Sequence, residues 1–200
     1  MMTRDNVMQS NQEVDNLRYY TELTKDVPGD LAEIGVCLGG TASVIYDVMN
    51  PNKRLYLFDT FELGFVGVGE NDPNWIREPQ PDMTTKAAQA YSSIVEYFKD
   101  KPQVTLVKGS FPQSGQDLLK DKKFSFVHLD VDIYLPTKES LEFFYPRMSV
   151  GGVFVIHDYM HQDLKGVKKA VDEFFADKIE RPTFRYDPDQ FMSQVMFIKL

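Results

Sequence analysis

The chain has 200 residues, of which 42% are hydrophobic and 26% charged, so we expect one globular domain, residues 1–200, and not a disordered chain. Its net charge of −8 argues against a nucleic-acid-binding protein, which needs a basic face. No apolar run is long enough to span a membrane, the start of the chain has no apolar signal core, and Cys37 is the only cysteine. These features predict a cytoplasmic protein without an intrachain disulfide and without a membrane or nucleic-acid partner.

Strand-like and helix-like segments alternate along the chain, and no internal repeat is present. An N-terminal helical segment is expected within residues 1–27. Strands are predicted at 31–36, 54–59, 103–109, 123–132 and 151–158, and helices at 41–50, 83–100, 137–146 and 165–178. Two late runs, 182–187 and 194–200, are close enough to form a terminal antiparallel pair. This alternation predicts an α/β fold with a mostly parallel sheet and helices on both faces.

The connection from 62 to 82 is rich in glycine and proline and is long for a compact domain. Loops of this length often close over a binding site, so we interpret 62–82 as a lid. Trp75 and Arg77 are its candidates for substrate contacts, although Trp75 fits a role in packing the loop down equally well.

Ligands of parallel sheets bind outside the carboxyl ends of the strands, so the residues at which each strand stops are the candidates for a site. The first strand runs into Glu33, Gly35 and the sequence Gly39-Gly40-Thr41, where glycine permits a tight turn and close approach of a ligand. The spacing is not the G-x-G-x-x-G of dinucleotide-binding proteins. An ordinary strand-to-helix turn is the alternative interpretation.

The next two strands end in groups that suit a nucleoside. Asp59, followed by Thr60, is placed to accept both ribose hydroxyls, or else to cap the following turn. Gly109 and Ser110 are placed to border an adenine, because a serine hydroxyl both donates and accepts, or else they form a simple turn.

The fourth and fifth strands end in acids and a histidine: Asp130, Asp132, His157 and Asp158. Two carboxylates and an imidazole that converge at neighbouring strand ends indicate a divalent metal site, with a metal-free hydrogen-bond network as the alternative. His128 lies deeper in its strand and is interpreted as a core histidine with a hydrogen-bond partner.

Taken together, five stretches resemble the TylF/macrocin O-methyltransferase family, class I S-adenosylmethionine-dependent enzymes that act on sugars of macrolide and aminocoumarin antibiotics. The stretches are PGDLAEIGVCLGGTA, LYLFDTFE, VKGSFPQS, FVHLDVDIYLPTKESLEFFYPRMSVGGVFVIHDY and GVKKAVDEFF. The resemblance extends from Pro28 to Phe175 and is most specific between Asp130 and Tyr159. It implies a Rossmann-like class I methyltransferase fold, with a mostly parallel seven-stranded sheet and a C-terminal antiparallel strand pair.

The resemblance also assigns roles at each strand end. Asp130 and the acids after the fifth strand would bind a magnesium ion in the family. For this chain we expect Asp130, His157 and Asp158 to hold the metal, Asp130 to border the cofactor as well, and Asp130 or His157 to accept the proton of the acceptor hydroxyl. The cofactor would bind along the earlier strand ends: the methionine part to Glu33, Gly35, Gly39, Gly40 and Thr41, the ribose to Asp59 and Thr60, and the adenine to Gly109 and Ser110.

Two departures from the family matter. The chain has His157-Asp158-Tyr159 where the family usually has Asp-Asp-Tyr. Magnesium prefers oxygen ligands, so the imidazole puts Mg²⁺ in question and favours Mn²⁺ or a softer ion such as iron or zinc, or a metal-free site with His157 as base. The chain is also shorter than the antibiotic enzymes, so its acceptor need not be a macrolide.

The resulting prediction is methyl transfer from S-adenosylmethionine to a hydroxyl of a small sugar-like or natural-product acceptor. Two other classes stay open: a binding module that holds the cofactor without chemistry, and an NAD-dependent oxidoreductase, against which the missing G-x-G-x-x-G counts. Family members form dimers or larger assemblies, which leaves a homo-oligomer open for this chain.

Overall fold

The computed structural model describes residues 6–61, 64–78, 81–186 and 193–200, and within them six strands form one sheet. The spatial order is β3-β2-β1-β4-β5-β6, in which the first five strands are parallel and β6 is antiparallel to β5. The strands are β1 (Asp30–Ile34), β2 (Leu55–Asp59), β3 (Val104–Lys108), β4 (Phe124–Leu129), β5 (Met148–Ile156) and β6 (Val195–Ile198).

Helices cover both faces of this sheet. They are α1 (Asn11–Leu23), α2 (Gly40–Val48), α3 (Pro81–Phe98), α4 (Gln116–Leu119), α5 (Tyr134–Phe144) and α6 (Lys165–Phe175), with short 3-10 helices at Asn74–Arg77 and Tyr145–Arg147. None of the described helices is long and apolar enough to cross a membrane.

The strands are apolar on both sides because each side contacts a separate core. Along β5, Val153 and Val155 pack with α1, α2 and α3, while Phe154 and Ile156 pack with α5 and α6. Helix α6 lies within the predicted helix 165–178 and buries one apolar face, which includes Val167 and Val171. This arrangement confirms the predicted Rossmann-like class I fold.

The predicted number of seven strands is wrong for the part of the chain that the structure describes. The run at 182–187 forms no strand there, and only Thr183 makes an isolated antiparallel bridge, to Met196 of β6. Pro182 lacks a backbone N–H and cannot donate to a ladder, which limits pairing at this edge. The fourth strand also ends at Leu129 and not at 132, since the backbone reverses at Asp132, where φ is +62°.

The topological switch point of the sheet, where the strand order reverses, lies between β1 and β4. One glycine allows the ends of these two strands to approach closely. Gly35 has φ +91°, and a Cβ at this position would lie 1.8 Å from the carbonyl oxygen of Asp130. Any side chain here would therefore push β4 away from the end of β1.

We expect Gly35→Ala to lower the free energy of unfolding by about 4 kcal/mol or more, because it adds a backbone clash to an unfavourable φ. Gly64→Ala is the matched control: its φ is +67° but nothing lies within 4 Å of the added Cβ. The control should cost only about 1 to 2 kcal/mol. Urea unfolding of both variants measures the difference, and equal costs would contradict the close contact with Asp130.

Candidate active site

All the candidate strand-end residues lie along one edge of the sheet. In each neighbouring pair of parallel strands, the residue just past one strand donates its backbone N–H to the end of the adjacent strand, so the hydrogen-bond ladder continues along this edge. The bonds run from Gly109 to Asp59 (2.9 Å), Gly35 to Phe58 (2.8 Å), Asp130 to Ile34 (2.9 Å) and His157 to Leu129 (2.8 Å).

The turn between β1 and α2 is closely packed. Gly39 adopts φ +79° immediately before α2, a left-handed conformation that glycine favours. A Cβ at Gly40 would lie 2.4 Å from the Asn6 carbonyl oxygen, so the N-terminal segment passes directly over the start of the helix. Thr41 is buried behind it.

Asp59 is fixed to the same turn. Its Oδ2 accepts hydrogen bonds from the backbone N–H groups of Val36 (2.8 Å) and Cys37 (2.7 Å), and its Oδ1 accepts one from Phe61 (2.5 Å). Burial raises the pKa of Asp59, and these three bonds oppose the rise. A carboxylate has about four acceptor positions, so one remains for a ligand. The adjacent Thr60 is engaged locally, with its hydroxyl donating to the carbonyl of Gly64 at 2.7 Å.

A groove of about 490 Å³ lies beyond β3 and includes Ser110 in its wall. The loop is tight here: Gly109 has φ +143°, and a Cβ on it would lie 2.8 Å from that of Ser114. The hydroxyl of Ser114 is buried without a hydrogen-bond partner. The rest of the wall comes from Val66, Gly67, Gln113, Leu135, Pro136 and Glu139.

Glu33 and His128 form a fully buried pair beneath the turn, with 2.8 Å between Glu33 Oε1 and His128 Nδ1. The interpretation of His128 as a core histidine with a partner is confirmed. Burial raises the pKa of Glu33, and the bond to His128 opposes the rise. Gln9 contacts the other nitrogen of the imidazole, with 3.3 Å between Gln9 Nε2 and His128 Nε2. The same Gln9 Nε2 donates to Asp130 Oδ2 at 2.8 Å.

The structure brings Asp130, His157 and Asp158 together. Each offers one ligand atom, and these atoms lie within 4.8 Å of one another. His157 Nδ1 is 3.0 Å from both Asp130 Oδ1 and Asp158 Oδ2. Asp132 does not continue along the strand beside Asp130 as predicted, but its carboxyl group still lies within electrostatic reach of the cluster.

The charges in this cluster depend strongly on each other. Burial alone would lower the pKa of His157, but the carboxylates of Asp130, Asp158 and Glu13 hold it well above the usual range. Burial likewise raises the pKa of Asp130, and the positive charge of His157 more than offsets this, so the net shift is downward. Burial and the charges of Asp130 and Asp158 raise the pKa of Asp132.

The donor set fits a divalent cation that accepts nitrogen. Although 3.0 Å separates them, His157 Nδ1 and Asp158 Oδ2 are both buried and neither makes a hydrogen bond of acceptable geometry. Adjacent ligands of a six-coordinate ion, each about 2.1 Å from the metal, would be separated by about 3.0 Å. One imidazole and two carboxylates suit manganese, iron or zinc better than magnesium.

The loop predicted as a lid is anchored by a residue that the sequence analysis did not single out. Asp72 accepts from the backbone N–H of Tyr134 at the start of α5 and from that of Gly69, both at 2.8 Å. Arg77 donates to the Gly69 carbonyl at 2.6 Å, while the Trp75 side chain is 48% exposed. Positions 62, 63, 79 and 80 of the predicted lid lie outside the described residues.

Three more site residues were missed: Gln9, Glu13 and Ser193. Ser10 and Glu13 fit the capping-box spacing S-x-x-E, which indicates the start of α1 but not that Glu13 reaches the site. Gln9 and Ser193 carry no signal in the sequence, since their contacts with Asp130 and His157 span 121 and 36 positions.

The family model of the macrocin O-methyltransferases (TylF) matches residues 4–192. A curated relative, the 8-demethyl-8-(2,3-dimethoxy-α-L-rhamnosyl)-tetracenomycin-C 4′-O-methyltransferase of Streptomyces olivaceus, is 31% identical over 160 residues, which cover 73% of this chain and 59% of the relative. The chain thus spans about three fifths of that protein's length.

Solved structures agree on the fold. The O-methyltransferase NovP has a TM-score of 0.71 at 24% identity, covering 97% of this chain and 82% of its own. A Bacillus cereus O-methyltransferase, solved in complex with S-adenosylhomocysteine, has a TM-score of 0.67 at 14% identity and covers 96% and 82%. With a family model matched over nearly its whole length, the chain belongs to the TylF macrocin O-methyltransferase family.

Proposed function

We propose that this protein transfers the methyl group of S-adenosylmethionine to a hydroxyl of a small sugar-like or natural-product acceptor. One observation carries the proposal: Asp59 and the Asp130–His157–Asp158 cluster lie on the same edge of the sheet. The hydrogen bond from Asp130 N to Ile34 O, 2.9 Å long, links the ends of β4 and β1 on this edge. The name of the Streptomyces relative, which methylates a hydroxyl of a rhamnosyl group, supports a sugar-like acceptor.

In this proposal the cofactor lies along the edge from β1 to β3. Its methionine part crosses the turn at Gly35, Gly39 and Gly40, next to Glu33 and Thr41. One ribose hydroxyl binds the remaining acceptor position of Asp59, near Thr60. The adenine enters the groove beyond Gly109, where the hydroxyls of Ser110 and Ser114 are available as donors and acceptors.

The chemistry requires alignment and removal of one proton. The acceptor oxygen attacks the methyl carbon as the carbon–sulfur bond breaks, which leaves S-adenosylhomocysteine, and the hydroxyl proton passes to a base on the protein. Asp130 is the preferred base, because its carboxylate is ionised next to His157. His157, enclosed by carboxylates, is better suited to hold and orient Asp130 than to accept the proton.

Asp130, His157 and Asp158 would also be the ligands of a divalent cation, as their donor atoms fit one. When bound, such an ion would ligate the acceptor oxygen and lower the pKa of its hydroxyl. The lid role of 62–82 is part of the same proposal: Val66 and Gly67 line the groove, and Asp72 holds the following turn against α5.

Asp59→Ala should weaken S-adenosylhomocysteine binding by about 10- to 100-fold, because it removes a charged hydrogen-bond acceptor from the ribose. Isothermal titration measures the affinity, and urea unfolding reports any loosening of the turn. Asp47→Ala, which removes an exposed acid of α2, is the control. Equal affinities in the Asp59 and Asp47 variants would contradict the ribose assignment.

Asp130→Asn should lower turnover by about 100-fold or more, because the amide cannot accept the proton, while S-adenosylhomocysteine affinity changes by less than about 3-fold. Release of S-adenosylhomocysteine in the presence of a panel of glycosides and phenols measures turnover. The exposed Asp121→Asn serves as the control. An Asp130→Asn enzyme with normal turnover would exclude Asp130 as the base.

A further inference from the structure

His157 is held from both sides of its ring. Nδ1 faces Asp130 and Asp158, as described above. Nε2 faces the opposite way, 3.0 Å from the Ser193 hydroxyl oxygen and 3.3 Å from Glu13 Oε1. The imidazole therefore connects the cluster at the strand ends to α1 and to Ser193, which lies two residues before β6.

Glu13 cannot turn away from this position. Its Oε2 accepts from the backbone N–H of Ser10 at 2.8 Å, and its Oε1 accepts from the N–H (3.1 Å) and the hydroxyl (2.8 Å) of Ser193. Glu13 is only 4% exposed. Oε1, which accepts both bonds from Ser193, is also the oxygen that lies 3.3 Å from His157 Nε2.

This environment decides which nitrogen carries the hydrogen. An ionised carboxylate only accepts, and Ser193 already gives its hydroxyl hydrogen to Glu13, so both neighbours of Nε2 require a hydrogen on that nitrogen. In the neutral ring, Nδ1 then presents a lone pair to Asp130 and Asp158. Three acceptors that face one another repel, and the repulsion is relieved either by a second proton, on Nδ1, or by a metal cation between them.

A second observation points to a ligand at the same place. Asp158 is 3% exposed, and its Oδ2 has no hydrogen-bond partner although it lies 3.0 Å from Nδ1. Histidines that bind metals almost always donate their other N–H to a carboxylate or another acceptor, which fixes the ring and its tautomer. Glu13 and Ser193 supply that partner for His157.

We propose that Glu13, supported by Ser193, is a positioning residue that holds His157 with Nδ1 directed at Asp130 and Asp158, and that it thereby gives the cation site its preference for nitrogen-accepting ions. This inference rests on the cation site of the proposed function. It concerns a contact between α1 and the site that involves neither the acceptor nor the cofactor.

The test is the ratio of two affinities, for Co²⁺ and for Mg²⁺, each measured by isothermal titration of metal-free protein. Glu13→Gln keeps the helix cap, since glutamine also fits a capping box. Loss of the oriented imidazole should reduce the Co²⁺-to-Mg²⁺ affinity ratio by about 10-fold or more, because Co²⁺ depends more on the nitrogen ligand. Glu22→Gln, an exposed acid of the same helix, should leave the ratio unchanged.

The Co²⁺-to-Mg²⁺ affinity ratio distinguishes a positioning role of Glu13 from an effect of its negative charge alone. If Glu13 acted only through its negative charge, Glu13→Gln would weaken both ions equally and leave the ratio intact, which would overturn the proposal. His157→Asn supplies oxygen in place of nitrogen and should itself lower the ratio. In that background, Glu13→Gln should have no further effect on the ratio, and an undiminished effect would also overturn the proposal.

Two measurements keep the outcomes distinct. Thermal unfolding without metal shows whether Glu13→Gln is folded, and Ser193→Ala, which leaves the cap of α1 intact, should shift the ratio in the same direction. S-adenosylhomocysteine binding is measured on the same samples. If the protein binds the nucleoside but no Co²⁺, this inference is refuted and the methyltransferase proposal stands. If it binds Co²⁺ but no nucleoside, the methyltransferase proposal is refuted and this inference stands.

Discussion

The close approach of Gly35 to the Asp130 carbonyl is the constraint on which the site depends. It lies between β1 and β4, where the strand order reverses, which is the point of an open parallel sheet at which ligands bind. Because no side chain separates the two strand ends, the β1–α2 turn that holds Asp59 and the end of β4 next to Asp130 belong to one surface. A methyl donor on the turn and a hydroxyl beside Asp130 would thus be neighbours without any movement of the sheet.

Behind this surface, residues far apart in the chain are joined by a relay of buried amides. Asn16 of α1 donates to Gln194 at 3.1 Å, Gln194 donates to Gln9 at 3.0 Å, and Gln9 donates to Asp130 at 2.8 Å. An amide both donates and accepts, so it can pass hydrogen bonds along a buried path that charged groups could not occupy without compensation. The N-terminal segment is therefore a wall of the site and not a separate appendage.

The sequence allowed the strand ends to be predicted, because buried parallel strands are continuous apolar runs that stop abruptly at polar residues. Asp130, His157 and Asp158 could be found in this way. Glu13 and Gln9 could not, since a helix cap and an isolated glutamine reveal nothing about contacts across the fold. The strand pair expected at the C-terminus is reduced to one bridge at Thr183 within the described residues, because Pro182 cannot donate a ladder hydrogen bond.

The pairing of His157 with Glu13 also explains why an imidazole suits this position. A carboxylate at 157 would face Asp130 and Asp158 on one side and Glu13 on the other, four acids with few donors between them, at a large desolvation and repulsion cost. An imidazole has one nitrogen for each side and can be cationic when no metal neutralises the acids. A histidine at position 157 and an acid at position 13 thus complement each other, so the two residues are best understood as one unit.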